Sequence, residues 1–139
     1  AAEPATGNWV LTPHPGEAAR LLGVSSAEVQ ADRLSAAREL QQRFGGTVVL
    51  KGAGSIVQSA GHAPYICDRG NPGMAVAGMG DVLTGLVAGI AAQCGDLELA
   101  ARAAVFVHAQ AGDLAARKGE RGLLAGDLMD QVRACVNSE

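Results

Sequence analysis

The residues most able to do chemistry lie between positions 70 and 85, in the run GNPGMAVAGMGDVLTG. Gly78 and Gly80 stand just before a small-residue apolar series that reads as a helix, and Asp81 is its first carboxylate. Backbone N–H groups at a helix N-terminus form an anion hole, and glycine lets the backbone approach phosphate oxygens closely. Phosphate chemistry is implied. An aspartate merely sitting beside a phosphate would repel it, so Asp81 makes sense there as a base that takes the proton of an attacking hydroxyl. The competing reading is that Asp81 caps the helix and the glycines only permit tight packing.

The elements that must hold this run are marked along the chain. Residues 9–11 (Trp-Val-Leu) read as a buried strand end, stopped by Thr12 and Pro13. Pro15, Gly16 and Glu17 open a short helix to Leu22, which Gly23 ends. Ser25 and Glu28 offer a capping box for one helical stripe that persists to Phe44, where Gly45 and Gly46 end it. Residues 47–50 form a mainly apolar and β-branched run, which predicts a strand covered on both faces that leads directly into Lys51. Residues 55–59 and 63–67 flank Gly61 and His62 and predict a hairpin, with Pro64 suited to a sheet margin. From Asp81 onward, Leu83, Leu86, Val87, Ile90 and Ala91 predict a helix buried on most sides. Two further helices are expected over residues 97–117 and 125–136. His62 in its turn and His108 in its helix read as structural.

Composition removes several classes of function. At 48% hydrophobic and 18% charged residues, the chain is too apolar for a disordered tail and too interrupted for a membrane protein. The 11 Lys and Arg against 14 Asp and Glu are scattered, with no basic stripe, so nucleic acid is not an expected partner. The longest charge-free apolar stretch, residues 82–95, falls short of the ~20 residues a bilayer requires. Cys67, Cys94 and Cys135 are far apart and odd in number, which argues against a disulfide framework and a zinc site and points to the cytoplasm. The N-terminus has neither a basic region nor a signal core and lacks an initiator Met, so the chain reads as a piece of something longer. No internal repeat or domain linker is evident.

The run GNPGMAVAGMGDVLTGLVAGIAAQ, with LTPHPGEAARLLG upstream and VVLKGAGSIV between them, resembles the ADP/ATP-dependent NAD(P)H-hydrate dehydratase family, a branch of the ribokinase-like superfamily. VFVHAQAGDLAA, residues 105–116, is similar to that family's C-terminal helix. The resemblance covers essentially the whole chain but only the latter part of the family domain. Residues 1–139 are thus expected to be a single domain or the C-terminal part of one ribokinase-like dehydratase domain. The implied fold is α/β, a mostly parallel central sheet with helices on both faces and ligands along the strand ends.

The resemblance implies nucleotide-dependent dehydration of hydrated NADH and NADPH, NAD(P)HX. The hydrate's hydroxyl is phosphorylated and then eliminated, which restores the nicotinamide ring. On that reading Asp81 is the catalytic base and contacts substrate. Gly78, Met79 and Gly80 offer amides to the transferred phosphoryl group, and Gly80 also faces the nucleotide. Lys51, Gly52, Ala53, Gly54 and Ser55 match the segment lining the nucleotide site, whereas without the resemblance the same residues also read as a plain strand-end turn. His14 matches a substrate-contacting histidine and sits where open α/β sheets place ligands. Glu17 is either a favourable first-turn acid or the holder of a metal-bound water. No residue is expected to ligate metal directly; Mg²⁺ would ride on the phosphates of ADP or ATP. Met79 stands where many relatives have Ser or Thr, and Ser55 where Thr is common. The implied partners are NAD(P)HX, adenine nucleotide, further copies in a homo-oligomer, and a fused or separate NAD(P)H-hydrate epimerase. Two other readings stand beside it: a vitamin-precursor kinase of the same superfamily, against which TPHPGE and KGAGS weigh, and a truncated non-catalytic nucleotide-binding module.

Overall fold

Strand β1 (Val10–Leu11) is short because Pro13 cannot donate to a ladder. Its coordinates come from a computed structural model that describes residues 7–137. Helix α1 (Pro15–Leu22) begins and ends where Pro15 and Gly23 predict, Gly23 closing it in the left-handed conformation at φ 74°. The single helix expected to reach Phe44 is in fact two, α2 (Ser26–Ala31) and α3 (Arg33–Phe44). Asp32 breaks it: at φ −145° and ψ 82° its carboxylate accepts from the Ser35 amide at 3.0 Å and the Ser35 hydroxyl at 2.7 Å. An Asx side chain that bonds the backbone three residues on starts a new helix rather than continuing an old one.

Strands β2 (Thr47–Leu50), β3 (Ile56–Ser59) and β4 (Tyr65–Ile66) complete a sheet ordered β1-β2-β3-β4. Only β1–β2 is parallel; β2–β3 and β3–β4 are antiparallel. The described sheet is therefore mixed and not mostly parallel. The 51–55 and 60–64 connections are too short for a crossover, whereas α1, α2 and α3 supply one between β1 and β2. The hairpin expected from the residues is present, with shorter strands.

Successive side chains of β2 face opposite layers. Val48 and Leu50 pack with Ala18, Val29, Ala37 and Leu40 of α1, α2 and α3. Val49 joins Val57 and Cys67 against Leu83 and Val87 of α4 (Met79–Cys94) and Val105 of α5 (Leu97–Ala115). Helices thus cover both faces, as expected. A third cluster joins Met79 and Ala111 to Leu128 of α6 (Leu128–Val136). The segment expected to be helical from residue 125 opens with a 3-10 turn, Ala125–Asp127, and α5 ends in another, Ala116–Lys118.

Helix α4 differs from expectation in two ways. It starts at Met79, so Gly80 lies inside its first turn rather than before it. It is also not buried on most sides: Met79, Leu83 and Val87 form its buried stripe, while Thr84, Gly85, Ala88, Gly89 and Ala92 are exposed. No described element covers that face. Among the described residues, no helix is long and apolar enough to cross a membrane.

Candidate active site

A cleft of about 930 Å³ opens beyond the C-terminal ends of β1 and β2. Its walls are His14, the 51–55 turn, the 66–76 loop, the start of α4 and one face of α5. Its size is that of a small-molecule or cofactor site.

The TPHPGE segment forms the first wall through a reciprocal cap. His14 Nδ1 accepts from the amides of Gly16 (3.0 Å) and Glu17 (3.2 Å), while Glu17 Oε2 accepts from the His14 amide at 2.7 Å. An accepting Nδ1 leaves the ring proton on Nε2, which lies 3.4 Å from Glu17 Oε1. The hydrogen bond from the His14 amide holds the Glu17 carboxyl below its ordinary range; partial burial opposes it, and the charge of Lys51 adds to it. Glu17 is thus engaged by main chain and Lys51, which leaves less of it for a metal-bound water. Among the described residues, no group of three or more His, Cys, Asp or Glu is placed to hold a metal ion.

The 51–55 turn is the second wall. The Lys51 amide donates to Pro13 at 2.9 Å, which locks this turn to the TPHPGE segment. Lys51 Nζ lies 3.9 Å from Glu17 Oε2, and a Cβ placed on Gly80 would stand 3.0 Å from the same Nζ. Lys51 therefore bridges from Glu17 to the first turn of α4. The Ser55 hydroxyl donates back to Gly52 at 3.2 Å. Behind the turn stands Arg33, a residue the sequence pattern did not single out. Its Nη2 lies 3.3 Å from the carbonyls of Leu50 and Lys51, and Nη1 donates to that of Ala53. The available signal was the Asp32 break, which puts Arg33 first in α3.

At the third wall, Gly78 is the N-cap of α4 at φ 88°, with no side chain capping the helix. The amides of Gly80 and Asp81 find no carbonyl acceptor among the described residues. Two open amides, the positive end of a helix of 16 residues and the Lys51 ammonium together favour an anion. Asp81 is the third helical residue, exposed, and among the described residues its carboxylate makes no hydrogen bond or ion pair. The reading of Asp81 as the helix cap is thereby overturned. His14, the 51–55 turn, Met79 and Gly80 all line the cleft; Gly78 and Asp81 flank that pair in sequence without lining it.

Helix α5 fixes the remaining wall. Asp113 accepts from the Gly70 amide at 3.0 Å and from Asn71 Nδ2 at 2.9 Å, and Asn71 Oδ1 accepts from Gly73 at 3.1 Å. Arg69 donates to Gln110 at 2.8 Å and lies over the Phe106 ring. His108, read from sequence as purely structural, lines the cleft with Nε2 at 2.9 Å from the Met79 carbonyl. Burial pushes its pKa down, the Met79 bond opposes this, and nearby Lys51 adds to the lowering. Below the ordinary histidine value of 6.5, the unfolded chain then binds a proton that the folded one refuses. Stability is accordingly full above that value and falls as pH drops toward the lowered one. Thermal melts at pH 7.5 and 5.5 are expected to show this loss, and His108→Gln, which keeps the donor to Met79, is expected to reduce it. An equal loss in the variant would remove His108 as its source.

Fold and cleft define an α/β protein with an open cleft at its strand ends. The NAD(P)H-hydrate dehydratase family matches residues 2–134, and the chain belongs to it. It is 53% identical over 131 residues to the bifunctional NAD(P)H-hydrate repair enzyme Nnr of Coxiella burnetii, covering 94% of this chain and 27% of that protein. It is 44% identical over 128 residues to the ADP-dependent (S)-NAD(P)H-hydrate dehydratase of Neisseria meningitidis, covering 91% and 43%. The crystal structure of the ADP/ATP-dependent NAD(P)H-hydrate dehydratase of Bacillus subtilis, co-crystallised with ATP/Mg²⁺ and soaked with CoA, superimposes with a TM-score of 0.86 at 31% identity. That match covers 91% of this chain and 47% of the Bacillus chain. The chain thus spans less than half the length of each of these relatives.

Proposed function

We propose that this chain is the C-terminal part of one ribokinase-like domain that dehydrates NAD(P)HX at the expense of ADP or ATP. The supporting observation is that one cleft gathers His14, the 51–55 turn and the uncapped start of α4, with Lys51 reaching between them. In this reading Lys51 to Ser55 hold the nucleotide, and the main chain of Gly78, Met79 and Gly80 borders the terminal phosphoryl group, with the open Gly80 amide donating to it, since the Met79 amide is already given to the Val76 carbonyl at 3.4 Å. The hydrate reaches Asp81 from the rim of the cleft, where His14 contacts it.

Asp81 accepts the proton of the hydrate's hydroxyl as its oxygen attacks phosphorus, and the nucleotide leaves one phosphoryl group shorter. Phosphate then departs with the C–O electron pair, a proton leaves the neighbouring carbon, and the ring double bond returns. Lys51 and the α4 amides oppose the charge that gathers on the transferred group. An Mg²⁺ ion arriving with the nucleotide would neutralise phosphate charge there.

The test is recovery of nicotinamide absorbance from the hydrate, with ADP and ATP compared, in a protein carrying the whole family domain. Recovery that needs nucleotide supports the reading; recovery without nucleotide, or none with either, overturns it. Excess chelator is expected to abolish turnover and added Mg²⁺ to restore it. Full turnover in chelator would remove the metal from the scheme.

A further inference from the structure

We propose that Arg33 is the positioning residue of the nucleotide turn: it gathers the carbonyls of residues 50, 51 and 53 behind the turn and so aims the amides of Gly52 and Gly54 into the cleft. The inference rests on the nucleotide reading of residues 51–55. A trans peptide carries its C=O and the next N–H on opposite sides, and no described peptide is cis. Arg33 draws the carbonyls of Lys51 and Ala53 to itself, so the N–H groups of Gly52 and Gly54 point the other way. Arg33 does not line the cleft, whereas both glycines do. Neither amide has a carbonyl acceptor among the described residues. They are donors held ready for an anionic oxygen.

Two further observations agree. Gly52 sits at φ 147°, and a Cβ there would stand 2.8 Å from Arg33 Nη2, so a side chain at 52 displaces the guanidinium. Arg33 makes no ion pair with any described carboxylate, and its buried Nε has no hydrogen-bond partner. Burial alone works against its charge. A half-buried cation without a counter-charge, set directly behind open amides, is matched when nucleotide phosphates arrive in front of them.

The experiment measures ADP and ATP affinity, nucleotide KM, hydrate KM and melting temperature for Arg33→Lys, Arg33→Gln and Gly52→Ala in a protein carrying the whole family domain. Lysine keeps the charge but has no planar fork to hold three carbonyls, so nucleotide affinity is expected to fall about tenfold, and further, about a hundredfold, for glutamine. The loss is expected in nucleotide KM, with hydrate KM unchanged and kcat at saturating nucleotide within about threefold. A role confined to folding would lower the melting temperature and leave these ratios alone. Gly52→Ala is expected to weaken nucleotide binding, and Arg33→Gln added to it to cost little more, because both break the same contact. Nucleotide affinity within twofold of the unmodified protein in folded Arg33→Lys, or fully multiplicative effects in the double variant, overturns the proposal while the nucleotide reading stands. An unmodified protein that binds neither ADP nor ATP overturns both.

Discussion

Asp81→Asn is expected to lower turnover of the hydrate by roughly 10²–10⁴, or about 3–5 kcal/mol of barrier, because an amide cannot take the hydroxyl proton. Stability should hardly move. The Asp81 carboxylate makes no hydrogen bond among the described residues and is not the N-cap, so only its attraction to the helix dipole is lost, about 0.3–1 kcal/mol. Nucleotide affinity should hold or improve, since a negative charge beside the phosphates is gone. Melting temperature, nucleotide affinity and hydrate turnover, measured together in a protein with the whole family domain, separate these effects. Turnover within about threefold of the unmodified protein would end the assignment of Asp81 as the base.

Gly78→Val is expected to damage both stability and turnover. At φ 88° the N-cap of α4 holds a conformation that costs a β-branched residue about 1–3 kcal/mol, and its Cβ would meet Ala125 Cβ at 3.1 Å. Relief of either strain shifts the first turn of α4 and with it the open amides. Because a misplacement near 1 Å costs a positioned reaction about a hundredfold, turnover should drop by at least that much in protein that remains folded. Gly85→Ala is the control on the same helix. Nothing stands within 4 Å of a Cβ there, so alanine should be neutral or stabilise by about 0.5–1 kcal/mol. A Gly78→Val protein with unchanged melting and turnover would show that the helix start tolerates other geometries.

The parts of the site that were legible in the sequence are those where local chemistry decides. Pro15 and Glu17 start α1, Gly23 stops it, and the β-branched run at 47–50 delivers Lys51 to the cleft. The hairpin after Ser55 was legible for the same reason, and for these four strands the residues spoke more accurately than the mostly parallel sheet taken from the family resemblance. What was hidden depends on partners remote in sequence. The apolar stripe runs on past Asp32, so periodicity alone gives one helix, and Arg33's role appears only when it meets carbonyls 17 to 20 residues away. His108 looks like an ordinary helical residue until the Met79 carbonyl is placed opposite it. The exposed small-residue face of α4 misled because smallness alone does not say whether a neighbour is present.

The clamp between Asp113 and the 70–73 loop bears on the order in which a newly made chain becomes competent. Gly70 and Asn71 depend on a carboxylate more than 40 residues further along. By the time the ribosome has added residue 94, all four strands and the helices through α4 have been made, and the glycine-rich loop has been made with them. The loop still has no acceptor for its Gly70 amide. It gains one only when most of α5 has been translated and has folded back across the sheet, bringing Gly112 up to Met74 and Asp113 up to Asn71. The shape of the loop is in that sense scheduled by translation: the glycine-rich segment is made before α5 and gains its Asp113 contacts only after α5 has docked.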